Sequence, residues 1–180
     1  MAFTRIHHVG LVTGDLEHAR QVLCEGFGLS IDEHRTPWPE GRPGYDGTTV
    51  LEFPIGEVCY EVARPNDTES EAARFLASTN GRGGMYYISF ASDDIASDVL
   101  GLLSRGVRLK EKWDGQGPVF LDPATCLGLM LQITPDEHYY VHPYYRGNGT
   151  VTGLAHVGLA SRDPKESHHF WGEVFGLRED

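Results

Sequence analysis

The segment Arg5-Ile6-His7-His8-Val9-Gly10-Leu11-Val12 returns twice along the chain, and this repetition limits the possible folds more than any other feature. One copy is Met85-Tyr86-Tyr87-Ile88-Ser89-Phe90-Ala91, and the other is Leu154-Ala155-His156-Val157-Gly158-Leu159-Ala160. Each copy alternates as a strand does and is followed by an acidic turn and an amphipathic helix. The repeating unit is therefore a strand-helix module whose strand can carry a histidine, and its apolar face must be buried against another element.

Within the first copy, Ile6, His8, Gly10 and Val12 share one face, and His7, Val9 and Leu11 share the other. Asp15 is placed to cap a helix that ends at Gly26 and Gly28. Leu29 to Arg35 reads as a short edge strand. Residues 36–47 are rich in Pro and Gly and form a long loop carrying Trp38, Arg42 and Tyr45. Thr48 to Phe53 and Val58 to Ala63 then form a hairpin. On its second strand Glu61 shares a face with Cys59 and Ala63, where an unpartnered carboxylate is expensive to bury. A helix over Thr68 to Thr79, capped by Thr68, leads to the glycine-rich hinge 80–84.

The second copy runs through a helix at Ile95 to Ser104 and strands at Val107 to Glu111, Gly117 to Leu121 and Leu127 to Thr134. The expected fold is α+β, with residues 1–134 forming two βαβββ modules whose mixed sheet curves into a cup. Residues 135–152 form a linker with His138, Tyr139, Tyr140, His142, Tyr144 and Tyr145. Residues 153–180 open a third module, because His156 to Leu177 matches His8 to Leu29 without a gap. A strand-helix pair alone buries too little to stand by itself. The third module therefore either continues in a longer chain or docks on a second copy, which makes a domain-exchanged homodimer the expected assembly.

A net charge of -11 and a pI near 5.2 leave no basic face for phosphate backbones or anionic lipid. Nucleic acids and membrane surfaces are therefore poor expected partners, and the acidity mainly indicates a soluble protein. No apolar run approaches a membrane span or a signal peptide, so the expected location is the cytoplasm. Cys24, Cys59 and Cys126 are odd in number and widely spaced, so they read as small buried hydrophobes.

If the two modules form a cup, the inward positions on the first and fourth strands are His8 and Glu61 from one module, and Tyr87 and Gln132 from the other. Imidazole, carboxylate and two further polar groups converging in an apolar cup describe a divalent-metal site with open positions. Such a metal polarises a carbonyl and stabilises an enolate.

The stretches Ile6 to Leu11, Tyr60 to Asp67, Asn80 to Tyr87 and Gly128 to Gln132 resemble the vicinal oxygen chelate superfamily of glyoxalases, bleomycin-resistance proteins and dioxygenases. The methylmalonyl-CoA epimerase-like branch is the most similar. The resemblance covers residues 5–134 and, in part, 153–178. It implies that His8 and Glu61 hold a divalent ion such as Mn, Co, Ni, Zn or Fe. Tyr87 and Gln132 stand where the epimerases have a histidine and a glutamate, and these two departures weaken the site. The resemblance also puts Glu52 near the place of a catalytic glutamate, a place that Val50 fits as well, and makes Tyr87 an acid, base or further ligand.

Three functions follow from the resemblance. The first is a metal-assisted isomerase, epimerase or lyase acting on a small oxygenated or CoA-linked acid through an enolate-like species. The second is a metal-free binding module using Tyr87, Trp38 and Tyr45. The third is the degenerate amino-terminal domain of a two-domain enzyme of the extradiol dioxygenase type.

Overall fold

The computed structural model describes residues 3–136 and 151–178. The aromatic and histidine-bearing stretch 137–150 lies outside the described residues. The chain divides into two compact units. One is His8–Tyr86 with Tyr139–Ala155, and the other is Met1–His7 with Tyr87–His138 and His156–Asp180. Strands and helices together confirm an α+β glyoxalase-like fold, and no described helix is long and apolar enough to cross a membrane.

The unit holding the first module is built on β1 (Phe3–Val12) from His8 onward, β2 (Arg42–Pro43), β3 (Thr48–Ile55) and β4 (Val58–Pro65), in the order β2-β3-β4-β1. β3 and β4 form the expected antiparallel hairpin, and β1 runs parallel to β4, with His8 opposite Cys59 and Gly10 opposite Glu61. α1 (Leu16–Gln21), capped by Asp15 and extended by a wide turn over Val22–Gly26, covers one face of this sheet. There Leu16, Leu29, Ile31, Leu51, Phe53, Ile55 and Val62 form a core cluster. Because side chains alternate, Val50, Glu52, Glu61 and Ala63 point to the opposite face.

Two expectations are corrected in this unit. No strand forms over Leu29 to Arg35, because the Asp32 carboxylate accepts the N–H groups of His34 (3.1 Å) and Arg35 (3.2 Å) and bends the chain into a turn. The Asp32 N–H donates to the Glu52 carbonyl (2.9 Å), and Thr36 Oγ1 accepts from the Glu52 N–H (3.0 Å), so the turn still lies along β3. The second helix, α2 (Glu71–Ser78), is capped by Ser70 in place of Thr68. The Asp67 carboxylate accepts from the N–H groups of Glu69 and Ser70 and holds the preceding residues in a turn.

In the other unit, β5 (Gly84–Ser92), β6 (Val119–Phe120) and β7 (Met130–Pro135) are ordered β5-β7-β6. α3 (Ile95–Ser104), capped by Asp94, packs Val99 and Leu102 against Ile88, Phe90, Leu131 and Ile133. The strand expected over Val107 to Glu111 shrinks to a single bridge between Leu109 and Leu121.

In the third copy, residues 151–162 form no strand, while α4 (Pro164–His168), capped by Asp163, continues through a wide helical turn over His169–Val174. Phe170 and Phe175 are buried, and the Phe175 ring lies 4.6 Å from that of Phe3 and 4.9 Å from that of Phe90. Arg105 donates to the Val174 carbonyl (2.6 Å). Aromatic burial of this kind is worth roughly 2 kcal/mol per ring, so this helix finds its cover in its own chain.

Candidate functional site

Five ionisable side chains, Glu52, Glu61, His8, Arg42 and Arg35, meet on the face of β3 and β4 that α1 does not cover. Glu52 on β3 and Glu61 on β4 are directly opposite each other across the hairpin. Glu52 is only 1 % exposed. His8, 7 % exposed, places its Nε2 3.9 Å from Glu61 Oε2. Arg42 supplies the partner these carboxylates need: its Nε donates to Glu52 Oε1 (2.7 Å) and its Nη2 to Glu61 Oε1 (2.5 Å). Arg35 approaches the other oxygen of Glu52, with Nε 3.3 Å from Oε2.

Local sequence explains how a loop residue reaches these strands. Arg42 and Pro43 form β2, paired with Val50 and Thr49. Gly41 and Gly44 flank them. Gly41 has φ +64°, and a Cβ there would meet the Val50 carbonyl oxygen at 2.7 Å, while one on Gly44 would meet Val50 Cγ2 at 2.4 Å. Only glycine allows the loop to lie this close to β3 and aim Arg42 along it.

Cys59 lies on the same strand face, two residues before Glu61. Burial pushes its thiol well above the usual range, and the charges of Glu52 and Glu61 push it further. It is a protonated, inert thiol at neutral pH.

The other expected residues are placed differently. Tyr87 and Gln132 belong to the second unit, on the face of β5 and β7 opposite α3. Tyr87 meets the Phe120 ring edge-on at 5.3 Å. Gln132 Oε1 accepts from Thr134 Oγ1 (3.1 Å), which in turn pairs with Ser89 Oγ (2.7 Å). Trp38 packs on the α1 cluster, with Arg20 stacked 5.4 Å from its ring, and so sits behind the sheet from Glu52 and Glu61. Tyr45 is exposed on the turn after β2. A cleft of about 900 Å³ in the second unit is lined by Ile6, Ile88, Phe90, Leu129, Val157 and Trp171. It lies on the α3 side of that sheet, away from Tyr87 and Gln132. Sequence reasoning missed Arg35 and passed over Arg42, although the cost of burying Glu61 called for such a cation.

The donor set in the first unit does not fit a divalent metal. Both Glu52 oxygens face guanidinium groups, Glu61 Oε1 is held by Arg42, and Glu61 Oε2 faces His8 Nε2. Catalytic zinc sites use three protein ligands. Among the described residues no group of three or more His, Cys, Asp or Glu is placed to hold a metal ion.

Comparison with known proteins supports the fold. A methylmalonyl-CoA epimerase from Streptomyces coelicolor, solved with 2-nitronate-propionyl-CoA, is 21% identical, covers 74% of this chain and 98% of its own, and superposes with a TM-score of 0.63. The methylmalonyl-CoA epimerase of Mycobacterium tuberculosis is also 21% identical, over 75% and 89% of the two chains, with a TM-score of 0.63. A hypothetical protein of Bacillus halodurans C-125 is 17% identical, over 77% and 98%, with a TM-score of 0.62. No curated protein sequence matches the chain. The family model of the glyoxalase/bleomycin resistance protein/dioxygenase superfamily matches residues 7–119, and the chain belongs to that superfamily.

Proposed function

We propose that the chain is an enzyme that binds a small oxygenated or CoA-linked acid at the His8, Arg42, Glu52 and Glu61 cluster and moves a proton next to the substrate's carbonyl. One observation carries this reading: Glu52 and Glu61 are paired across two strands on a largely buried sheet face and bridged by one guanidinium. Apolar side chains of the same volume would be equally stable or more so, and buried charge clusters gather where function requires them.

In this reading His8 is the general base, with Glu61 orienting its imidazole and stabilising the positive charge that forms when the ring takes the proton. Arg35, whose side chain is 46% exposed, is the cation that meets the substrate's acid group, while Arg42 stays bound between the two carboxylates. The test follows exchange of the α-proton with deuterated water by NMR across a panel of enolisable thioesters and hemithioacetals. At least one substrate should exchange, and His8→Ala should slow that exchange about 100-fold or more. Exchange of the active substrate at an unchanged rate in His8→Ala, or no exchange across the whole panel, would sink the reading.

A metal-free binding module is the second reading, favoured by the arginine contacts that hold both Glu52 oxygens. It predicts saturable binding of an organic acid without turnover.

A further inference from the structure

We infer that Arg42 is the resident cation of this site: its guanidinium takes the bridging position between Glu52 and Glu61 that a divalent ion would otherwise take, and keeps such ions out. A guanidinium fork usually grips one carboxylate with two N–H groups. Here the same edge of the fork is shared, Nε going to Glu52 at 2.7 Å and Nη2 to Glu61 at 2.5 Å, across directly opposed positions of two strands. One cation joining two carboxylates is the arrangement a metal makes in an acidic site.

The described charges are also matched in sign: the two carboxylates, Glu52 and Glu61, face two guanidinium groups, Arg42 and Arg35. A divalent ion entering this cluster must displace Arg42 and leave a partly buried guanidinium without its anions, which is costly. The Gly41-Arg42-Pro43-Gly44 segment is shaped to press Arg42 against β3, so the bridge is built into the backbone. The inference concerns the site proposed above and relies on that reading only for the site's importance, since its test measures metal binding and needs no substrate.

The experiment titrates Co²⁺ and Mn²⁺ into the purified full chain, following the cobalt visible spectrum and the heat of binding. The wild type should show no stoichiometric site. Arg42→Met should gain one, at least about 100-fold tighter than any wild-type binding, and the added His8→Ala change should abolish it. If Arg42→Met does not fold by circular dichroism, Gly41→Ala serves instead, because it withdraws Arg42 while leaving every ligand side chain in place. Near-stoichiometric metal in the wild type, lost in His8→Ala, overturns the inference. So does a folded Arg42→Met chain, or its Gly41→Ala substitute, that gains no site. A failed substrate panel alone leaves this result untouched.

Discussion

The two modules place different chemistry on matching positions of one framework. Pairing β1 with β4 and β5 with β7 aligns His8 with Tyr87, Cys59 with Met130, Gly10 with Ser89 and Glu61 with Gln132. The hairpin partner of Glu61 is Glu52, and that of Gln132 is Phe120. The first module therefore carries a charged cluster closed by a loop arginine, while the second carries a neutral ladder of hydroxyl and amide groups beside two aromatic rings. The two modules keep the same register and differ at a few inward positions, which separate a site of ion pairs from a face held by packing and ordinary hydrogen bonds.

Breaking the packed face should have the largest effect. Phe120→Ala removes a buried ring at the place of Glu52 and should cost about 3–5 kcal/mol in urea unfolding. Arg42→Met leaves two opposed carboxylates without their bridge. With Arg42 itself 30% exposed and partly screened, the cost should be about 2 kcal/mol. Gln132→Leu should cost roughly 1 kcal/mol, the value of a hydrogen bond. If Gln132→Leu costs as much as Arg42→Met, the contrast between charged and neutral faces fails.

The helix caps provide a control in which the modules should agree. Asp15 and Asp94 cap the first helix of their modules by accepting the N–H groups of His18 (2.9 Å) and Ser97 (3.1 Å). Asp15→Ala and Asp94→Ala should each cost about 1 kcal/mol, with similar shifts in thermal midpoint. Unequal shifts would mean that the modules differ in more than their inward faces.

The smallest effects concern thiols. Burial pushes Cys126 up to about 11, whereas Cys59 is raised by burial and further by Glu52 and Glu61. A raised thiol is protonated in the folded chain while the unfolded thiol ionises near pH 8.5. Its stabilising contribution is therefore complete below that pH and is lost as pH rises toward the folded value. Native alkylation at pH 8 should reach Cys24 before either buried thiol. Glu61→Gln should quicken labelling of Cys59 and leave Cys126 unchanged. An equal change at both would show that Glu61 does not act on Cys59.

Much of the fold was legible because its signals are local. Alternation marked β1, β3, β4 and β5, and the Asp-capped stripe marked α1 and α3, each set by a few neighbouring side chains. Elements whose outcome depended on competing side-chain bonds were misread. Asp32 turned an expected strand into a bend, and Asp67 moved the α2 cap to Ser70. Trp38, expected either as a ligand contact or as a locally packed ring, packs part of its indole on the α1 cluster.

By itself the sequence determined the repeated module, the faces that His8, Glu61, Tyr87 and Gln132 occupy, and the superfamily. Strand periodicity and helix caps act over a few residues and survive in a one-dimensional reading. Only the tertiary structure decided that Arg42, ten residues from Glu52 and nineteen from Glu61, closes the cluster. It also decided that Phe175, beyond α4, is buried against Phe3 and Phe90. Both outcomes rest on pairing between distant segments, where burying a charge or a ring selects its partner by proximity in space and not by spacing along the chain.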